Sequence, residues 1–132
     1  MKKINVVGAI IISNEKILCA QRSDYKTLPS KWEFPGGKIE LGETPQEALM
    51  REIIEEMNCI VEIGDQVVHT VHAYDFGEVH LTTFYCKLTK GEPLLTEHKA
   101  IKWLDPSELS SLDWAPADLP AVEKVVKEFS NL

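Results

Sequence analysis

Basic residues are scarce in this 132-residue chain: Lys and Arg total 14 against 21 Asp and Glu, a formal net charge of −7. Such a surface repels polyanions, and no basic stripe interrupts it, which excludes binding along a nucleic acid polymer. Cysteine is scarce too. Cys19, Cys59 and Cys86 stand far apart with no Cys-x-x-Cys pair, which argues against a thiolate metal site or a dithiol redox centre. Their apolar neighbours read as buried free thiols in a reducing compartment, so the expected location is cytoplasmic. Long apolar runs are missing: none approaches the roughly 20 residues that span a membrane. Lys2 and Lys3 ahead of Val6 to Ile12 imitate a secretory leader. The run is short, however, and passes into Ser13-Asn14-Glu15-Lys16 without a small-residue cleavage site, so it is expected to be a first strand. With no repeats, low-complexity tracts or linkers, residues 1–132 are expected to form a single domain.

The pattern predicts paired strands from about Ile4 to Ile12 and Ile17 to Gln21 around a turn at Ser13-Asn14-Glu15, then a short extended piece at Trp32-Glu33-Phe34. Pro35-Gly36-Gly37 is expected to break that piece. A helix is predicted over Pro45 to Met57. Thr44 is the N-cap, Pro45 takes the permitted first position, and Glu47 stands three residues after the cap. Asn58 suits the left-handed closing position. Strands are expected at Ile60 to Val71, Val79 to Leu88 and Ala100 to Leu104, with Gly77 between the first two. Val122, Val125, Val126 and Phe129 give an apolar stripe to a last helix after Pro116. Hairpins with two separated helices imply an α/β (α+β) sandwich around a mixed sheet.

On a helical wheel Leu49, Ile53, Met57, Met50 and Ile54 share an arc about 140° wide, and Glu52, Glu55 and Glu56 share another about 100° wide. A solvated charged face is the ordinary reading of such a run. Two costs oppose it: like charges at i,i+3 and i,i+4 repel, and the helix dipole disfavours Glu55 and Glu56 in the last turn. A cation relieves both, and carboxylate-only ligation suits Mg²⁺ or Mn²⁺.

Read more widely, Gly37, five residues, Glu43, seven residues and Arg51-Glu52-Ile53-Ile54-Glu55-Glu56-Met57-Asn58-Cys59 resemble the Nudix box, with Asn58 in place of its glycine. Trp32 to Lys38, leading to Gly42-Glu43-Thr44-Pro45, resembles the MutT-like branch, and Ala115 to Pro120 the CTP pyrophosphohydrolases within it. The resemblance implies an α/β/α sandwich and a Mg²⁺- or Mn²⁺-dependent hydrolase that cuts a nucleoside triphosphate into monophosphate and pyrophosphate. It implies metal ligation by Glu52, Glu55, Glu56 and the Gly36 carbonyl, with Arg51 and Glu43 orienting those carboxylates. Glu97, six positions before Trp103, would be a further ligand or the base acting on water. A surface glutamate is the plain alternative. Arg22 and Lys38 would grip phosphates or nucleotide.

The base is read from Asp118, which stands where MutT-type enzymes acting on 8-oxo-dGTP carry Asn. An ionised Asp only accepts, so it suits the exocyclic amine of cytosine better than the O6 of guanine. The plain alternative is that Asp118 complements a helix N-terminus. Glu33 is a further candidate base contact and His72 could reach the pocket, with Tyr74 beside it. Trp103 and Trp114 are read as core, and His69, His80 and His98 have no ligand spacing. The competing readings are an 8-oxo-dGTP diphosphatase and a nucleotide-sensing module without activity. A monomer or homodimer is expected.

Overall fold

The computed structural model describes residues 1–129. Among the described residues the chain runs β1 (Lys3–Ser13), β2 (Lys16–Gln21), β3 (Trp32–Glu33), β4 (Gly36–Lys38), α1 (Pro45–Met57), β5 (Ile60–Tyr74), β6 (Gly77–Lys90), β7 (Ala100–Leu104) and α2 (Leu119–Phe129). Short 3-10 turns occupy Pro106–Ser111 and Pro116–Asp118.

β1 organises the sheet. It lies parallel to β6 from Lys3↔Glu78 to Ile12↔Lys87, and β6 pairs antiparallel with β5. Its hairpin with β2 is brief, holding only Ile12↔Ile17 and Ser13↔Lys16. The loop is two residues, Asn14 at φ 52° and Glu15 at φ 67°, the paired positive angles of a type I′ turn. β2 then diverges to pair antiparallel with both β3 and β7. The edge of β1 that it leaves is taken by β4, in register from Val6↔Lys38 to Gly8↔Gly36. One parallel pair among antiparallel ones makes the sheet mixed, as expected.

The expected break falls at Phe34-Pro35, between β3 and β4, and is corrected only in extent: Gly36 and Gly37 form a strand. Glycine has low strand propensity, but here it is steric necessity. A Cβ on Gly36 would lie 1.9 Å from the Val7 carbonyl oxygen, so only glycine lets the chain approach β1 this closely. β5 and β6 also run further than predicted, to Tyr74 and from Gly77, because a two-residue connection, Asp75-Phe76, closes their hairpin.

Alternation along β1 places a layer on each face. Val7, Ala9 and Ile11 pack with Leu49, Ile53 and Met57 of α1. Ile10 packs with Val122 and Val125 of α2 on the other face, which completes the α/β/α sandwich. Trp114 is buried and Trp103 packs against the α1-side core. The three cysteines are buried and free. No helix of the described residues is long and apolar enough to cross a membrane.

α1 forms over the predicted span. The Thr44 hydroxyl accepts from the Glu47 N–H at 3.1 Å, and the Glu47 carboxylate accepts from the Thr44 N–H at 2.9 Å, a reciprocal cap. Ile54 departs from the expected apolar arc and is 45% exposed; the buried face is Ala48, Leu49, Ile53 and Met57.

Asn58 ends the helix at φ 52°, ψ 40°, donating its N–H to Ile54. Left-handed backbone costs an L-residue roughly 1–2 kcal/mol, less for Asn than for most. Asn58→Ala is expected to destabilise the fold by about 1 kcal/mol, and Asn58→Gly to be neutral or slightly stabilising. Urea midpoints of the three proteins check this; equal midpoints for Ala and Asn would mean the cap carries no strain.

Candidate active site

One cavity of about 690 Å³ opens beside the acidic face of α1. Its wall draws on β1, β3, β4, α1 and the segment before α2, and includes Arg22, Glu33, Glu52, Glu56, His98 and Asp118. Residues distant in sequence meet there because β2 pairs with both β3 and β7. That shared strand brings Arg22, just after β2, and His98, just before β7, to Glu33 on β3.

The acidic side is organised by Arg51. Its Nε donates to Glu43 Oε2 at 2.7 Å and its Nη2 to Glu43 Oε1 at 2.9 Å, a bidentate pair. Its Nη1 donates to Glu52 at 2.8 Å and to Glu55 at 3.2 Å, and Nη2 also reaches the Lys38 carbonyl at 3.1 Å. The hydrogen bonds from Arg51 hold the Glu43 carboxyl well down, to about 2, and those contacts raise the Arg51 pKa in turn. Glu52 is 14% exposed at its side chain and Glu55 58%, so the three helix carboxylates are not equivalent.

Glu56 carries the one carboxylate oxygen of the helix, Oε2, that is buried without a hydrogen-bond partner among the described residues. Burial first, then the charges of Glu52, Glu33 and Glu97, push its pKa up to about 8. Leaving a buried polar atom unsatisfied costs roughly 1–3 kcal/mol, more for charged groups, and a cation at that oxygen removes the cost. Among the described residues no three side chains already converge as a finished cation cage; Glu52 and Glu55 instead turn toward Arg51. The donor set still fits a hard divalent ion, which takes part of its shell from water and phosphate oxygens. Glycine keeps the space open: a Cβ on Gly37 would lie 2.4 Å from the Glu52 carboxylate.

The other predicted residues are dispersed around this wall. Gly36 and Lys38 line the cavity. Glu97 stands on the connection to β7, its Oε2 3.5 Å from Lys26 Nζ, close enough for its charge to act on Glu56. His72 is not part of the wall; its ring centroid lies 4.5 Å from that of Tyr74, which is. The Tyr74 hydroxyl accepts from the Ala117 N–H at 2.7 Å and its ring stacks at 5.0 Å on Phe76.

Asp118 is 6% exposed at the end of the 3-10 turn before α2, and its Oδ1 accepts from the Phe34 N–H at 3.1 Å. Burial first, then the Glu33 charge, raise its pKa well above the usual carboxylate range. The neutral acid donates as well as accepts. An acceptor-only Asp118 thus requires a bound donor to favour the ionised form.

Sequence reasoning passed over His98. Its Nε2 lies 2.9 Å from Glu33 Oε2, while Arg22 Nη1 donates to Glu33 Oε1 at 2.8 Å. Nothing in the spacing marks it, since its partner Glu33 comes from β3, far away in sequence.

Comparison with known proteins accords with this geometry. The NUDIX domain family matches residues 2–125. The chain is 37% identical over 123 residues to a CTP pyrophosphohydrolase of Escherichia coli (strain K12), covering 93% of this chain and 91% of that protein. It is 33% identical over 128 residues to the 8-oxo-dGTP diphosphatase of the same organism, covering 95% and 98%. A solution structure named DNA mismatch repair protein MutT, family Nudix hydrolase, from methicillin-resistant Staphylococcus aureus 252 superimposes with a TM-score of 0.80 at 61% identity, covering 96% and 98%.

Proposed function

The chain belongs to the NUDIX domain family, and from that premise we propose that it is a pyrophosphohydrolase of cytidine triphosphates, CTP, dCTP or a modified cytidine nucleotide. The observation that carries the reading is the layout of the cavity: an acidic wall with the unpartnered Glu56 oxygen, and a buried carboxyl, Asp118, on another part of the same wall. In this reading Glu52, Glu55, Glu56, Glu97 and the Gly36 carbonyl hold Mg²⁺ or Mn²⁺. When bound there, the ion offsets triphosphate charge and acidifies a coordinated water. Arg51 and Glu43 keep Glu52 and Glu55 in place. Arg22 and Lys38 take phosphate or nucleotide oxygens, with Glu33 supporting the nucleotide end; His72, outside the cavity wall, is not among the substrate contacts. Hydrolysis consumes one water and releases monophosphate and pyrophosphate. The whole chain acts as one domain, as a monomer or homodimer, and its three buried reduced thiols support assigning it to the cytoplasm.

Pyrophosphate release with Mg²⁺ across CTP, dCTP, 5-methyl-dCTP, dATP, dGTP and 8-oxo-dGTP tests the reading. Preference for the cytidine members is expected; preference for 8-oxo-dGTP assigns the enzyme to oxidised nucleotides. Release from none of them would leave the sensing module standing. The role of Asp118 has its own test. Asp118→Asn supplies an N–H donor that an ionised carboxylate lacks. A well-placed contact to a base edge discriminates by about 1–3 kcal/mol, so the kcat/KM ratio of CTP to 8-oxo-dGTP should fall about tenfold or more. An unchanged ratio would remove Asp118 from base recognition.

A further inference from the structure

We propose that His98 is a positioning residue for nucleotide binding: it fixes Glu33, and through Glu33 it fixes the Arg22 guanidinium in the cavity wall. The proposal rests on the nucleotide reading above.

The side chain of His98 is 7% exposed and that of Glu33 20%. A carboxylate so enclosed is stable only if its oxygens are paired, and here each oxygen has its own partner. Arg22 Nη1 donates to Oε1 at 2.8 Å and the His98 ring meets Oε2 at 2.9 Å. Burial works to raise the Glu33 pKa, but the His98 hydrogen bond and the Arg22 charge outweigh it and hold the carboxyl below its usual range. An ionised carboxylate only accepts, so the His98 Nε2 facing it must carry the hydrogen.

Arg22 is held from its other side as well. Its Nε donates to the Thr27 carbonyl at 2.7 Å and its Nη2 to the Thr27 hydroxyl at 3.0 Å. A guanidinium has five N–H donors; three are engaged by Glu33 and Thr27, which leaves two for a ligand. Arg loses much rotamer freedom when it binds, and a side chain pinned beforehand has already lost it. The sheet does not need the pairing. Backbone ladders hold β3 and β7 to β2 at Gln21↔Trp32 and Gln21↔Ala100, so loss of the imidazole should disturb the Glu33–Arg22 geometry before it disturbs the fold.

The test compares wild type with His98→Ala, His98→Gln, Glu33→Gln and the double variant that combines His98→Ala with Glu33→Gln. CMP and 8-oxo-dGMP binding is titrated calorimetrically, and KM, kcat and Tm are measured beside it. Loss of one charge-assisted hydrogen bond predicts that His98→Ala weakens monophosphate binding and raises KM about tenfold, with kcat near wild type and a Tm lowered by the unpaired Glu33 oxygen. His98→Gln keeps an N–H donor and should recover most of the affinity. Free imidazole should partly rescue His98→Ala, and the double variant should bind no more weakly than Glu33→Gln alone. Wild-type affinity in His98→Ala, additive losses in the double variant, or a Tm loss with no change in binding would each overturn the proposal. If wild type releases no pyrophosphate yet binds monophosphates with this dependence, the hydrolase reading fails and the His98 role stands. If wild type binds neither monophosphate, both fail.

Discussion

Glu56→Gln is expected to lower kcat about a thousandfold, because the ion's stabilisation of transition-state charge is worth several kcal/mol. The metal-free protein should remain folded. Gln keeps the shape of Glu while removing a charge that the fold accommodates poorly: one oxygen is buried without a partner and the pKa stands near 8 against an ordinary 4.5. The sign of the pH dependence follows. Between those values the folded protein retains a proton that the unfolded chain releases, so the stability from this group is fully present below about 4.5 and is lost as pH rises through about 8. Metal-free wild type should lose Tm across that window, and Glu56→Gln should lose less. At pH 8 the variant should equal or exceed metal-free wild type. Mg²⁺ should raise the wild-type Tm at pH 8 much more than at pH 5, with EDTA reversing it and Glu56→Gln largely abolishing it. Wild-type turnover in the variant, or a Mg²⁺ effect on Tm that survives the substitution, would remove Glu56 from the cation site.

The acidic helix was legible in sequence because its determinants are local. Thr44, Pro45 and Glu47 declare the start, Asn58 the end, and the spacing of Glu52, Glu55 and Glu56 puts three carboxylates on one side. The ranking among them was not legible. That Glu55 is exposed and tied to Arg51 while half-buried Glu56 keeps one oxygen buried without a partner depends on what packs against the helix, and periodicity carries no such information. Strand pairing was harder still. The β1–β2 turn was visible, but not that β2 would leave β1 after two residue pairs and take β3 and β7 as partners. His98 was missed for that reason: it meets Glu33, and through Glu33 is linked to Arg22, only by the partnership of β2. Ile54 was misplaced because a wheel treats every apolar residue on an arc alike, whereas the sheet covers only the part centred on Leu49 and Ile53.

The adjacent glycines of β4 are expected to separate fold from chemistry. At Gly36 an added methyl meets backbone: Val7 O at 1.9 Å, Val7 C at 2.8 Å and Gly8 Cα at 3.0 Å. No rotamer change relieves that, so β4 must move away from β1, breaking pairs such as Gly8↔Gly36. Overpacking ordinarily costs about 1–3 kcal/mol and occasionally more, and a clash with main chain belongs at the upper end, so Gly36→Ala should lower the urea midpoint sharply. At Gly37 the added methyl meets only the end of a side chain, the Glu52 carboxyl, at 2.4 to 2.8 Å. Glu52 can swing away, but its hydrogen bond from Arg51 at 2.8 Å and its place at the cavity wall go with it. Gly37→Ala should therefore keep a urea midpoint close to wild type and lose about 10²–10³-fold in kcat, the loss typical of removing one group that stabilises transition-state charge. It should also require more Mg²⁺ for half-maximal activity. The two variants differ by one position and one methyl, so general damage to β4 predicts parallel losses of stability in both. Parallel losses would show that Gly37 is needed for the strand; an active, stable Gly37→Ala would show that the place of Glu52 against β4 is not needed for catalysis.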